Sequence, residues 1–191
     1  GGVFERSSKS IILSPESKIL LNIDQDELSP ENLIKAILQA NVDLLWNGGI
    51  GTYIKSSAES HLEIGDKSND NLRVNGSDVK AKVIGEGGNI GVSQLARIEY
   101  SKSGGRINTD FIDNSGGVDC SDHEVNIKIA LNQAISSGRL NLEQRNKFLF
   151  DMTKQVEELV LIDNYKQNQA LDIMQLSPAA TIGMFSQFID A

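Results

Sequence analysis

Lys80-Ala81-Lys82-Val83-Ile84-Gly85-Glu86-Gly87-Gly88-Asn89 is the stretch on which the fold turns. The run from Lys80 to Ile84 reads as a strand, the glycines stop it, and a helical pattern follows from about Ser93 to Ser101. Strand, glycine turn, helix is the unit of a parallel sheet, because parallel neighbours need a long crossover between them. The unit recurs on both sides. Upstream, Val42-Asp43-Leu44-Leu45-Trp46 is stopped by Asn47-Gly48-Gly49-Ile50-Gly51 and reads as a buried strand ending in a glycine turn. Downstream, Arg106 to Ile112 reads as a short strand or extended segment. Asn114-Ser115-Gly116-Gly117-Val118 follows it as a third turn, and a helix is expected from about Cys120 to Ser136. Three such units predict an α/β fold with parallel strands. Ligands of these sheets gather at the carboxyl ends of the strands, where all three glycine turns fall.

The flanks are helical. Ser14-Pro15-Glu16 and Ser29-Pro30-Glu31 each offer a serine cap, a proline at the first helical position and then an acid. The second opens an amphipathic helix carrying Leu33, Ile34, Ile37 and Leu38 to about Ala40. Between Thr52 and Gly76 the Ser, Asn and Asp content predicts loops around a short helix near Ile54 to Leu62. Asn141 with Gln144 forms a capping-box pattern, and the helix it opens is expected to run through Met152, Val156 and Tyr165 to about Leu176. The tail beyond Ser177-Pro178 is apolar without a pattern. These elements divide the chain into 1–140 and a helical segment 141–191.

Composition narrows the function. With 26 acids against 18 bases the formal charge is -8, which argues against nucleic acid as the main partner. No apolar run approaches the ~18 residues of a membrane span, and the polar start lacks the apolar core of a signal peptide. A single cysteine, Cys120, excludes an internal disulfide framework and fits a reducing cytoplasm. The chain opens Gly1-Gly2-Val3-Phe4 and its first methionine is Met152, which does not read as a natural translation start; removal of a tag and a piece cut from a larger protein explain it equally.

None of the turns completes the dinucleotide fingerprint G-x-G-x-x-G. Gly85-x-Gly87-x-x-Ile90 comes nearest and fails at the third glycine. Asp119, Cys120, Asp122, His123 and Glu124 include metal-ligand types, but acids clustered at a helix start more often stabilise that start. No metal is expected. Cys120 at a helix N-terminus could be reactive, although its place beside a glycine turn favours packing. Trp46 reads as core, with a ring-stacking role as the alternative.

Three blocks carry a family resemblance. Asp43 to Tyr53, Val83 to Asn89 and Asp113 to Glu124 resemble the large bacterial NAD-specific glutamate dehydrogenases, and the likeness runs from about Gly1 to Leu176. It implies an incomplete Rossmann-like parallel sheet with flanking helices and a long C-terminal helix. It also implies oxidative deamination of L-glutamate to 2-oxoglutarate and ammonia, with hydride passing to NAD, in a cytoplasmic enzyme that is homo-oligomeric when complete. Gly85-Glu86-Gly87-Gly88-Asn89 is similar to the Glu-Gly-Ala-Asn block of smaller glutamate dehydrogenases, and Asn114 to Val118 is similar to their Asn-Ala-Gly-Gly-Val. The resemblance thus assigns Asn47, Gly48, Gly49, Glu86, Gly87, Gly88, Asn89 and Asn114 to the cofactor. Gly117 and Ser121 go to the substrate, with Ser121 on its distal carboxylate. The glycine-rich pyrophosphate turn and the catalytic lysine and aspartate of the family have no counterpart here. The chain alone is therefore expected to be inactive and to work with the remaining domains of its parent. The alternative is a ligand-binding regulatory module of the same fold without chemistry.

Overall fold

Local capping starts the helices where the sequence places them. In the computed structural model, which describes residues 2–176 and 178–190, Ser14 Oγ accepts from Ser17 N at 3.2 Å and Ser29 Oγ from Asn32 N at 3.3 Å. Each such cap contributes about 1 kcal/mol. In chain order the first elements are β1 (Ile11–Ile12), α1 (Pro15–Leu21), β2 (Glu27–Leu28) and α2 (Pro30–Leu38). Then come β3 (Leu44–Asn47), β4 (Ile54–Lys55), α3 (His61–Ile64), β5 (Val74–Asn75), β6 (Val83–Glu86), α4 (Gln94–Lys102), β7 (Arg106–Ile107) and α5 (Asp110–Asp113). The helices α6 (Ser115–Ser136), α7 (Leu142–Asp151), α8 (Thr153–Leu176) and α9 (Pro178–Ile189) follow. The chain divides into two compact units, Gly1–Asn114 and Ser115–Ala191.

The first unit is built on a parallel sheet of order β3-β6-β7. Leu44 pairs with Val83 and Asn47 with Glu86, and Val83 pairs in turn with Arg106, so the three expected strands are neighbours in register. A second parallel pair, β4 with β5, lies in the region expected to be loops, and Ile54 also bridges to Val92. Ile54, Val74, Ile84, Val92, Ala96 and Tyr100 are buried together as the core. Tyr100 satisfies its hydroxyl by donating to Ala81 O at 2.6 Å. Arg73 is buried as well, its guanidinium donating to Thr52 O, Asp66 O and Asp70 and contacting His61 Nδ1. That set of bonds shapes a segment with few apolar side chains.

Several expectations change. The strand at Leu44–Asn47 is an edge strand rather than a buried one, and Trp46 is 56% exposed. Leu44 and Trp46 on one face are exposed, while Leu45 on the other packs against the core. The stretch after Arg106 is extended for two residues only. Asn108 Nδ2 then reaches Asp113 Oδ1 at 3.3 Å, and the chain turns into the single-turn α5. The Asn114-Ser115-Gly116-Gly117 motif is not a turn beyond Asn114, since α6 already begins at Ser115.

In the second unit α6 packs on α8, α7 lies against both and α9 against α8. The expected box at Asn141 is present, with Gln144 N donating to Asn141 Oδ1 at 2.8 Å. The helix it opens stops at Asp151 and a new one starts at Thr153, where one continuous helix was expected. The tail forms α9, although Ser177 lies outside the described residues. Polar contacts tie α6 to α8: Ser115 Oγ donates to Asn164 Oδ1 at 2.6 Å, and Asn164 Nδ2 to Asp119 Oδ2 at 3.2 Å. Among the described residues of this unit no apolar side chain is fully buried.

Candidate functional site

The carboxyl ends of β3 and β6 lead into two loops, 48–51 and 87–91, that lie against each other. Gly88 N donates to Asn47 O at 3.0 Å. The glycines of these loops have assignable partners inside the protein. A Cβ on Gly85 would stand 2.6 Å from Trp46 Cε3, and one on Gly87 2.8 Å from Trp46 Cζ2. These two glycines therefore make a shelf for the indole ring. A Cβ on Gly88 would run into the carbonyl of Gly49, so here two backbones meet. Gly48 and Gly49 have only ordinary contacts at their Cβ positions.

Asn89 and Asn114 are brought together. Asn114 Nδ2 donates to Asn89 Oδ1 at 2.5 Å and to Gly88 O at 3.0 Å. Asn47 sits beside this loop, its amide over Gly91. Glu86 does not face outward: it is 0% exposed, and its carboxylate takes Arg97 Nη2 at 2.7 Å, Arg97 Nε at 3.1 Å and Val92 N at 3.0 Å. Its side chain supports the loop from within. Burial pushes its carboxyl above the ordinary value, with the Arg97 bonds and charge pulling against that shift.

Residues not singled out by sequence hold the same loop. Asp110 Oδ2 accepts from Ile90 N at 2.7 Å, Asp113 Oδ2 from Glu86 N at 2.9 Å, and Thr52 Oγ1 donates to Ile90 O at 2.7 Å. Ile90, the position where the fingerprint would have its third glycine, adopts φ +58°. Only glycine enters that region without cost, and a β-branched residue there is an outlier. The signal for Asp110, Asp113 and Asn114 was their i, i+3, i+4 spacing, which an extended reading of 106–112 concealed.

Ser121 and Gly117 lie on α6 in the second unit. Because α6 begins at Ser115, Ser121 stands on its second turn rather than its first, and its hydroxyl donates to Gly117 O at 3.1 Å. Gly117 has open space where a Cβ would be. Cys120 is exposed and, with Ile127, Met152, Val156 and Val160, lines a groove of about 560 Å³ between helices. Its surroundings are these helices and not a packed glycine turn. His123 Nε2 lies 3.3 Å from Asp163 Oδ2. Among the described residues no group of three or more His, Cys, Asp or Glu side chains is disposed to hold a metal ion, and no helix is long and apolar enough to cross a membrane.

Parallel strands flanked by helices, with asparagine and glycine loops at the carboxyl ends of β3 and β6, define an α/β protein. The sequence matches the family described as bacterial NAD-glutamate dehydrogenase, catalytic domain, over residues 1–174. It is 59% identical over 175 residues to the NAD-specific glutamate dehydrogenase of Pseudomonas aeruginosa, covering 92% of this chain and 11% of that protein. Those of Halomonas elongata and Mycobacterium tuberculosis are 54% and 51% identical, with 99% and 95% of this chain covered and 12% of each relative. The chain belongs to the bacterial NAD-glutamate dehydrogenase family. It spans 11–12% of the length of these relatives.

Proposed function

We propose that this chain supplies the nicotinamide side of an NAD site in a glutamate dehydrogenase, which oxidises L-glutamate to 2-oxoglutarate and ammonia. NAD, when bound, accepts the hydride. The observation that carries this reading is the Asn89–Asn114 pair beside the carboxyl end of β6. The bonds it makes use Asn89 Oδ1 and Asn114 Nδ2. Asn89 Nδ2 and Asn114 Oδ1 remain as a donor and an acceptor, the complement of a carboxamide. The loop also fits that end of the cofactor better than the pyrophosphate. Its Gly88, Ile90 and Val92 N–H groups are taken by Asn47 O, Asp110 and Glu86, so these three amides are not offered to phosphate oxygens. Asn47, Gly48, Gly49, Gly87 and Gly88 form the wall beside the amides. On this reading 1–140 belongs to the NAD-binding domain and 141–191 to a helical extension, in a cytoplasmic, oligomeric parent.

Ser121 is proposed for the distal carboxylate of glutamate. Its hydroxyl proton is spent on Gly117 O in this structure, so binding an anion requires it to rotate away from the helix carbonyl. The assay is glutamate-dependent NADH formation by the complete polypeptide that carries these residues. Its presence supports the dehydrogenase reading, and NAD binding without turnover would favour the regulatory module. Ser121→Ala should raise KM for glutamate about tenfold, the effect of one lost hydrogen bond to a charged group, with NAD KM little changed. An unchanged glutamate KM removes Ser121 from the substrate site.

A further inference from the structure

We propose that α5 is a clasp on the 86–92 loop, and that its Asp110 is the positioning residue that sets Asn89 against Asn114. This rests on the reading of that pair as part of the cofactor site. Asp110, Asp113 and Asn114 stand at i, i+3 and i+4, so one short helical face presents all three to the same neighbour. That neighbour is the loop after β6. Asp113 takes Glu86 N, Asp110 takes Ile90 N, and Asn114 holds Gly88 O and Asn89 Oδ1. Asn89 is thus gripped from both ends of its own loop.

The conformation of Ile90 shows why an acceptor is needed at position 110. At φ +58° an isoleucine backbone is unfavourable, and its side chain, 64% exposed, gains little burial in return. Left to itself, the residue would return to negative φ and carry the Asn89 amide with it. Asp110 opposes that return through a 2.7 Å bond to Ile90 N, while Thr52 Oγ1 holds Ile90 O at the same distance. Arg97 lies 3.7 Å from Asp110 Oδ1 and bonds Glu86 at 2.7 Å, which orients both carboxylates. The protein uses this clasp where the dinucleotide fingerprint uses a glycine.

That substitution of a bond for a glycine makes the proposal testable by compensation. In the complete polypeptide, NADH affinity would be measured by fluorescence titration, together with NAD and glutamate KM values. The variants are Asp110→Ala, Asp110→Asn, and Asp110→Ala combined with Ile90→Gly. Asp110→Ala should weaken NADH about tenfold, the order expected for losing one charge-assisted bond. Glutamate KM should move much less. Asp110→Asn keeps an oxygen for Ile90 N and should retain most of the affinity. Adding Ile90→Gly to Asp110→Ala should restore it, because glycine holds positive φ unaided. Wild-type affinity in Asp110→Ala, or a double variant as weak as the single one, overturns the clasp. Parallel loss of NAD and glutamate KM values does so too, since that marks general loosening. A wild-type protein that binds no NADH overturns the cofactor reading itself, and the clasp with it.

Discussion

Gly88→Ala should destabilise the first unit by about 3 kcal/mol, the upper range for forcing extra volume into a packed site. The added Cβ would meet the Gly49 carbonyl oxygen and lie 2.8 Å from the Gly49 carbonyl carbon. Neither atom can swing aside as a side chain end would. The bond from Gly88 N to Asn47 O fixes the separation of the two loops, so relief requires breaking it. Gly117→Ala provides the opposite case. Its Cβ would enter open space on α6, and replacing a helical glycine by alanine should gain about 0.5–1 kcal/mol in the second unit. Urea unfolding of both variants checks the pair. Equal effects would mean that the Gly49–Gly88 approach does not exist in solution.

Arg97→Ala should cost still more at neutral pH, roughly 3–5 kcal/mol, because it leaves a fully buried carboxylate without its cation. The pH dependence follows from the direction of the Glu86 shift. Its carboxyl titrates above the ordinary 4.5, chiefly through burial. Its protonated form is therefore favoured in the folded state. The associated stability is fully present below the ordinary value and is lost as pH rises through the raised one. Without Arg97 only the bond from Val92 N still opposes burial, so the carboxyl rises further. The difference in unfolding midpoint between wild type and Arg97→Ala should widen as pH rises above the ordinary 4.5. Glu86→Gln removes the titrating group and should abolish that widening. A constant difference as pH rises would show that burial of Glu86 is not the dominant influence.

How legible was the site? The motifs around Asn89 and Asn114 were readable, and the structure does bring those two amides together. Glu86 was assigned to the cofactor by resemblance, with no direction for its side chain. Only the fold shows that its side chain passes under its glycine neighbours to Arg97, eleven residues on. Gly87 was assigned to the cofactor by resemblance, and the fold adds that its missing Cβ, like that of Gly85, clears space for Trp46. A glycine reports that something comes close, and says nothing about what it is. Asp110 was overlooked for a different reason. The extended reading of Arg106 to Ile112 placed it on no particular face, and helical spacing appears only once α5 is recognised as a turn.

By itself the sequence determined what depends on bonds within a few residues and on long motifs. Ser14, Ser29 and Asn141 cap their helices through groups three residues away, and such signals survive without tertiary context. The three parallel strands were marked by apolar runs closed by glycine, and the motif blocks carried family membership. Tertiary structure alone decided that β3 is an edge, that β4 and β5 pair, and that Ile90 is held at positive φ. Each of those outcomes rests on partners far along the chain: Leu44 with Val83, Ile54 with Val74, and Ile90 with Asp110 and Thr52. Contacts of that separation are made only when the core closes around them, so no local pattern of residues can announce them.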